Sequence, residues 1–167
     1  MAEFLYRGLE DGTNCIMQYV GEDSKIVIPD NKYVSVLFDD LFKGHKEVTE
    51  VIIPEGVREI GGFVFDGCDK LTHINLPSTL ESMWQYAFTR CGLTEITIPG
   101  KVHTIISYAF NQCKDLTTVH ISEGTKKIMA WAFQDCTALR DVYVPASVEE
   151  ISESAFRGCE NVTVHRI

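Results

Sequence analysis

Five of the six cysteines recur at a fixed interval: Cys68, Cys91, Cys113, Cys136 and Cys159 are spaced 23, 22, 23 and 23 residues apart. A column of thiols offers three chemistries, namely disulfides, thiolate metal ligands and nucleophiles. Disulfides need Cβ vectors that converge, whereas equivalent positions in stacked copies project in parallel. Zinc sites of the common kind need closely paired ligands, and no C-x-x-C pair is present. The start of the chain also lacks the basic stretch and apolar core of a secretory signal, which points to a reducing compartment. The column therefore reads as reduced thiols serving as small buried hydrophobes, with no metal or cofactor expected.

Histidines and carboxylates are the next candidates. His73 with Glu95, and His120 with Asp141, stand on adjacent coils. The two pairs run in different columns and lack a third ligand, so surface polar contact is expected rather than acid–base or metal chemistry. The chain contains no G-x-S-x-G, H-E-x-x-H, phosphate-binding glycine loop or G-x-G-x-x-G. No catalytic site is expected, and the chain is not read as an enzyme.

The elements that carry these residues are repeats. The segments VREIGGFVFDGC, LESMWQYAFTRC, VHTIISYAFNQC, TKKIMAWAFQDC and VEEISESAFRGC superpose without gaps, and Phe65, Phe88, Phe110, Phe133 and Phe156 keep the cysteine spacing. A second phrase follows each of the first four: Leu71 to Pro77, Leu93 to Pro99, Leu116 to Ser122 and Leu139 to Pro145, all of the form L-x-x-I-x-I-P. Phe42 and His45 extend both columns upstream, with His45 in a cysteine position, and Lys25 to Pro29 keeps only the strand and its proline. Ile74 and Leu76 alternate with His73 and Asn75, the period of a half-buried strand. Proline then ends the strand because it cannot donate to a ladder. The I-x-x-x-A-F-x-x-C phrase comes nearer the helical period and predicts a helical or 3-10 turn on the opposite side. One coil cannot bury its apolar face alone, but stacked copies bury Phe on Phe and Ile on Ile.

Together these phrases resemble the BspA-like, or Treponema-type, leucine-rich-repeat family, whose hallmark is I-G-x-x-A-F-x-x-C-x-x-L-x-x-I-x-I-P. The resemblance spans about residues 34–165. It implies a right-handed leucine-rich-repeat solenoid with a short-stranded parallel sheet on the concave side, and members that often act in attachment or protein binding. Departures are Met83 and Trp84 for Ile-Gly, Ser122 for Pro and His45 for Cys. The expected organisation is an N-terminal β-hairpin cap over 1–33, followed over 34–167 by five to six coils of 22–23 residues.

Outward strand positions make two rows on the concave face: Glu50, His73, Glu95, Thr118 and Asp141, then Ile52, Asn75, Thr97, His120 and Tyr143. Held on a rigid sheet, they suit a protein partner at little ordering cost. A second candidate is an exposed convex aromatic strip of Phe63, Tyr86, Tyr108 and Trp131 flanked by Trp84. Its rings could anchor a partner or simply stack between coils.

Fifteen Lys and Arg against 24 Asp and Glu leave a net charge of −9, which repels a phosphate backbone, so nucleic acid is not an expected ligand. Residues 1–59 hold twelve acids and six bases, net −6, and would steer a basic protein partner to that end. No apolar run reaches the roughly 18 residues of a membrane span, so membrane insertion is not expected. The chain as given reads as cytoplasmic, or as cell-surface or secreted if a leader has been removed. Val162 to Ile167 leaves the last coil uncovered, which predicts either a homodimer through the C-terminal open end or a charged edge just sufficient for a monomer. The functional expectation is a non-catalytic protein–protein interaction module. The competing readings are a small intracellular inhibitor masking a basic surface of an enzyme and a carbohydrate-binding surface protein.

Overall fold

The structure is a computed structural model that describes residues 3–167; residues 1 and 2, at the start of the expected cap, lie outside the described residues. The strands in chain order are β1 (Glu3–Gly8), β2 (Asn14–Val20), β3 (Lys25–Val27), β4 (Val34–Leu37), β5 (Glu50–Ile52), β6 (Glu59–Ile60), β7 (His73–Ile74) and β8 (Ser82–Met83). They continue with β9 (Glu95–Ile98), β10 (Thr104–Ile105), β11 (Thr118–Ile121), β12 (Lys127–Ile128), β13 (Asp141–Val144), β14 (Glu150–Ile151) and β15 (Thr163–Arg166). β1 and β2 form an antiparallel hairpin, and β2 then pairs in parallel with β4.

Each coil contributes one strand to each of two parallel ladders. The face ladder contains β3-β5-β7 and β9-β11-β13-β15, and the edge ladder contains β1-β2-β4-β6-β8 and β10-β12-β14. Both are interrupted at one place, between the coil that ends at Arg90 and the coil that begins at Cys91. The face ladder counts seven strands, hence about seven turns: six strands fall within 34–167, and the seventh, β3, lies in the stretch read as the cap and pairs in register with β5.

The core between the ladders is a stack of phenylalanine rings. Phe42, Phe65, Phe88, Phe110, Phe133 and Phe156 follow one another at centroid separations of 5.1–5.5 Å. Ile, Leu and Val from the strand phrases complete it, with Val51, Ile98, Val119, Val142 and Val144 all fully buried.

The turns around each Phe are not helical. The only helical segment among the described residues is the 3-10 turn Asp30–Lys32. Two residues before each core Phe except Phe156 the backbone turns left-handed, at Asp40, Phe63, Tyr86, Tyr108 and Trp131. Two residues after, it does so again at Gly44, Gly67, Arg90, Gln112, Asp135 and Gly158. Such residues cannot propagate a right-handed helix. Alternate N–H groups also leave the turn: Phe65 donates to Ala87, Gly67 to Thr89, Phe110 to Ala132 and Gln112 to Gln134, all in the next coil. The intervening N–H groups of Asp66, Cys68 and Asn111 close tight bonds to the residue three before. Helical spacing of large side chains thus arises here from a zigzag of β-turns bonded coil to coil.

Candidate functional site

The face rows keep the register expected of them within each block of the ladder. Glu50 pairs with His73, and Glu95 with Thr118 and then Asp141. Thr97 pairs with His120, and His120 with Tyr143. The polar contacts differ from the pairs read in the sequence. His120 meets Glu95 at 2.7 Å through Nε2, and Asp141 is met instead by His165 at 2.7 Å. His73 bonds only its neighbour Thr72. The rings of His120, Tyr143 and His165 stack at 5.0 and 4.7 Å, forming a short pillar on the face. His165 was missed because its strand phrase, Val162 to Ile167, lacks the leading leucine of the four copies from Leu71 to Pro145.

Six of the predicted face residues, Glu50, Ile52, His73, Asn75, Glu95 and Thr97, surround an open cleft of about 710 Å³ where the face ladder is interrupted. Two local features of the sequence make it. The coil that starts at Cys91 has one residue, Gly92, where the others have two between cysteine and leucine, so the strand that follows begins early. Gly92 sits so close to the preceding coil that a Cβ would lie 2.3 Å from the Asp69 carbonyl oxygen. In the coil before, the Asn75 side chain has entered the ladder. Its Oδ1 accepts the Ile53 N–H at 2.9 Å and its Nδ2 donates to the Ile53 carbonyl at 2.7 Å. The side chain does what main chain does in the other coils, and β7 stops after two residues.

The second candidate, the aromatic strip, forms a column as spaced. Phe63, Tyr86, Tyr108 and Trp131 stack at 4.9, 4.9 and 5.5 Å with interplanar angles of 12°, 7° and 16°. Rings packed this way cover one another's faces, and the outer face of Phe63 carries the Lys43 ammonium at 4.7 Å. Trp84 stands outside the column, 48% exposed, with its indole N–H donated to Glu59. It lines a second groove of about 620 Å³ together with Phe38, Asp39, Phe63 and Gln85.

The cysteines are free and form a column of donors. Cys68, Cys91, Cys113, Cys136 and Cys159 each point Sγ at the carbonyl of the core Phe one coil earlier, at 2.9–3.1 Å. Burial pushes the Cys68 thiol up to about 12 and the Cys91 thiol well above its ordinary value. The Cys136 and Cys159 thiols are raised first by the neighbouring thiol in the column. Such groups stay protonated and are poor nucleophiles.

Comparison with known proteins places these features in context. The BspA type leucine rich repeat region matches residues 36–163 in six copies. The fold is similar to that of a T. pallidum leucine-rich repeat protein, 26% identical, with a TM-score of 0.79 over 98% of this chain and 83% of that one. It is also similar to a leucine-rich repeat protein from Bacteroides ovatus, 29% identical, TM-score 0.66, covering 96% of this chain and 51% of that one. A leucine-rich cell surface protein from Faecalibacterium prausnitzii is 27% identical, TM-score 0.67, covering 98% of this chain and 54% of that one. The chain therefore spans about half the length of the latter two. No curated protein matches it.

Proposed function

Since the chain belongs to the BspA type leucine-rich repeat family, a family of protein-interaction scaffolds, we propose that it is a non-catalytic module that binds a protein partner on its face ladder. The observation that carries this reading is the pair of rows from Glu50 to Asp141 and from Ile52 to Tyr143. Within each block of the face ladder these side chains are held in register by main-chain bonds, while the alternate residues Val51, Val119 and Val142 fill the core. A rigid array of this kind loses little freedom when a partner docks. Its carboxylates and the net charge of −9 favour a basic partner. The likeness to a cell surface protein supports display at a cell surface as the setting.

The test compares capture from the native host's lysate by the wild-type chain and by Glu95→Lys combined with Asp141→Lys, with captured proteins identified by mass spectrometry. A partner retained by the first and lost by the second is expected. Equal retention by both removes the face from consideration. A second reading, recognition of a saccharide, is favoured by the exposed Trp84 and Phe38 beside the carboxylates of Asp39 and Glu59 in the second groove. Trp84→Ala abolishing binding to a glycan array, with the face variant unaffected, would establish it.

A further inference from the structure

Both ladders and a third set of bonds fail at one coil boundary. Thr79 donates its hydroxyl to Val57 of the coil before, and Ser147 likewise donates to Thr125. The equivalent position in the coil after Arg90 is Lys101, which has no hydroxyl to offer. What crosses the boundary lies on the turn side: Phe88 N–H to Ala109, Arg90 N–H to Asn111, the Thr89 hydroxyl to Tyr108, Gly92 N–H back to Cys68, and the stacked rings. The face side is consequently open. Ile74 and Leu76 are only partly buried there, whereas their counterparts Val51, Ile53, Ile96 and Ile98 are sealed.

We propose that the cleft between β7 and β9 is a docking site for an extended, basic segment of a protein partner, an arginine or lysine of which lays its stem on Ile74 and Leu76 and its cation between Glu50 and Glu95. The proposal rests on the face reading above and narrows it to one place and one chemistry. An uncovered apolar floor under a carboxylate rim matches a side chain that is aliphatic along its length and charged at its tip. Both carboxylates have internal partners, Lys25 at 3.3 Å from Glu50 and His120 at 2.7 Å from Oε1 of Glu95. These are solvent-exposed pairs, which exchange for a ligand at small cost. Thr94 and Ile98 are bonded to the β11 side. By the alternation of a parallel ladder, Glu95 and Thr97 turn their main-chain groups toward β7, where an extended segment can bond them. The cleft volume of about 710 Å³ suits a few residues of such a segment. A saccharide is disfavoured because no Phe, Tyr or Trp ring lines the cleft, and an anion because two carboxylates do.

The experiment is selection of a displayed library of random heptapeptides against the full chain. Selected peptides sharing one arginine or lysine are expected. Their synthetic forms should lose at least about tenfold in affinity when that residue becomes Gln, and again when the chain carries Glu50→Gln with Glu95→Gln. The same peptides should bind Glu81→Gln with Glu149→Gln, two exposed carboxylates outside the face rows, within about twofold of wild type. All four positions are surface-exposed or half-buried, and unchanged thermal unfolding of each variant ensures that folding is not what is read. An acidic or uncharged consensus, no selected peptide, or indifference to the Glu50 and Glu95 variants overturns the proposal. Peptides that depend on Asp141 and Tyr143 instead would leave the face reading standing and sink the cleft alone; a lysate partner lost on Glu95→Lys with Asp141→Lys, together with a failed selection, would do the same.

Discussion

A thiol is a weak donor, yet it suits a position that is wholly apolar except for one carbonyl with a lone pair to spare. The Phe65 carbonyl already accepts the Cys68 N–H within its own turn, and the Cys91 thiol of the next coil takes its second lone pair at 3.1 Å. Ordinary thiols ionise from about pH 9, whereas burial holds the Cys68 proton to about 12. A raised folded value means that stability is fully present below pH 9 and falls as pH rises from there toward 12. The slope is up to about 1.4 kcal/mol per pH unit for each thiol so held. Urea unfolding from about pH 8 to about pH 11 should therefore show declining stability. Cys91→Ala should be less stable at neutral pH, by about 1–3 kcal/mol for the lost thiol bond and the space the sulfur leaves in the core, and should decline less steeply. Parallel declines in the variant and the wild type would contradict the assignment. The left-handed columns give a second residue-level expectation. Gln112 has φ 56 and Gly67 φ 78, and a Cβ at Gly67 would meet nothing closer than 3.9 Å. Gln112→Gly should thus raise stability, and Gly67→Ala lower it, each by about 1 kcal/mol in thermal unfolding. Changes of the same sign would show that contacts, not backbone strain, dominate there.

Among the elements, β7 is where local chemistry overrides the repeat. Asn75 supplies from its side chain the donor and acceptor that Ile53 receives from main chain elsewhere. Asn75→Ala should cost about 1–3 kcal/mol, measured by urea unfolding, because two bonds are lost together. An unchanged midpoint would mean the strand re-forms its own bonds once the amide is gone. Gly92→Ala should cost a similar amount, about 1–3 kcal/mol, through collision with the Asp69 carbonyl. The columns of Phe and Cys, the strands and their register were legible because each recurs at the spacing that stacking demands. The turns were misread because side-chain period reports where Cβ atoms point and not where N–H groups bond; helices and coil-to-coil zigzags share that period. The face rows could be named residue by residue, but the cleft within them could not. It depends on a single missing residue after Cys91 and on an asparagine that looks, in sequence, like any outward polar position.

Across the whole molecule, stability should be a sum of coils and the interfaces between them. Most interfaces have three supports: the face ladder, the edge ladder and the stacked rings with their turn-side bonds. The interface between the coils of Phe88 and Phe110 has only the last. Removing one ring should therefore act differently according to where it stands. Phe133→Ala leaves β11-β13 and β12-β14 to hold its neighbours together. Phe110→Ala deletes the main tie across the open boundary, with no ladder in reserve. Both should lower stability by about 3–5 kcal/mol, as large core truncations do. Only Phe110→Ala should also split the denaturant transition in two, its earlier step reported by Tyr108 and Trp131 fluorescence as the stack beyond Cys91 comes apart from the one before. Single, superimposable transitions for both variants would mean that the turn-side bonds alone suffice to couple the halves.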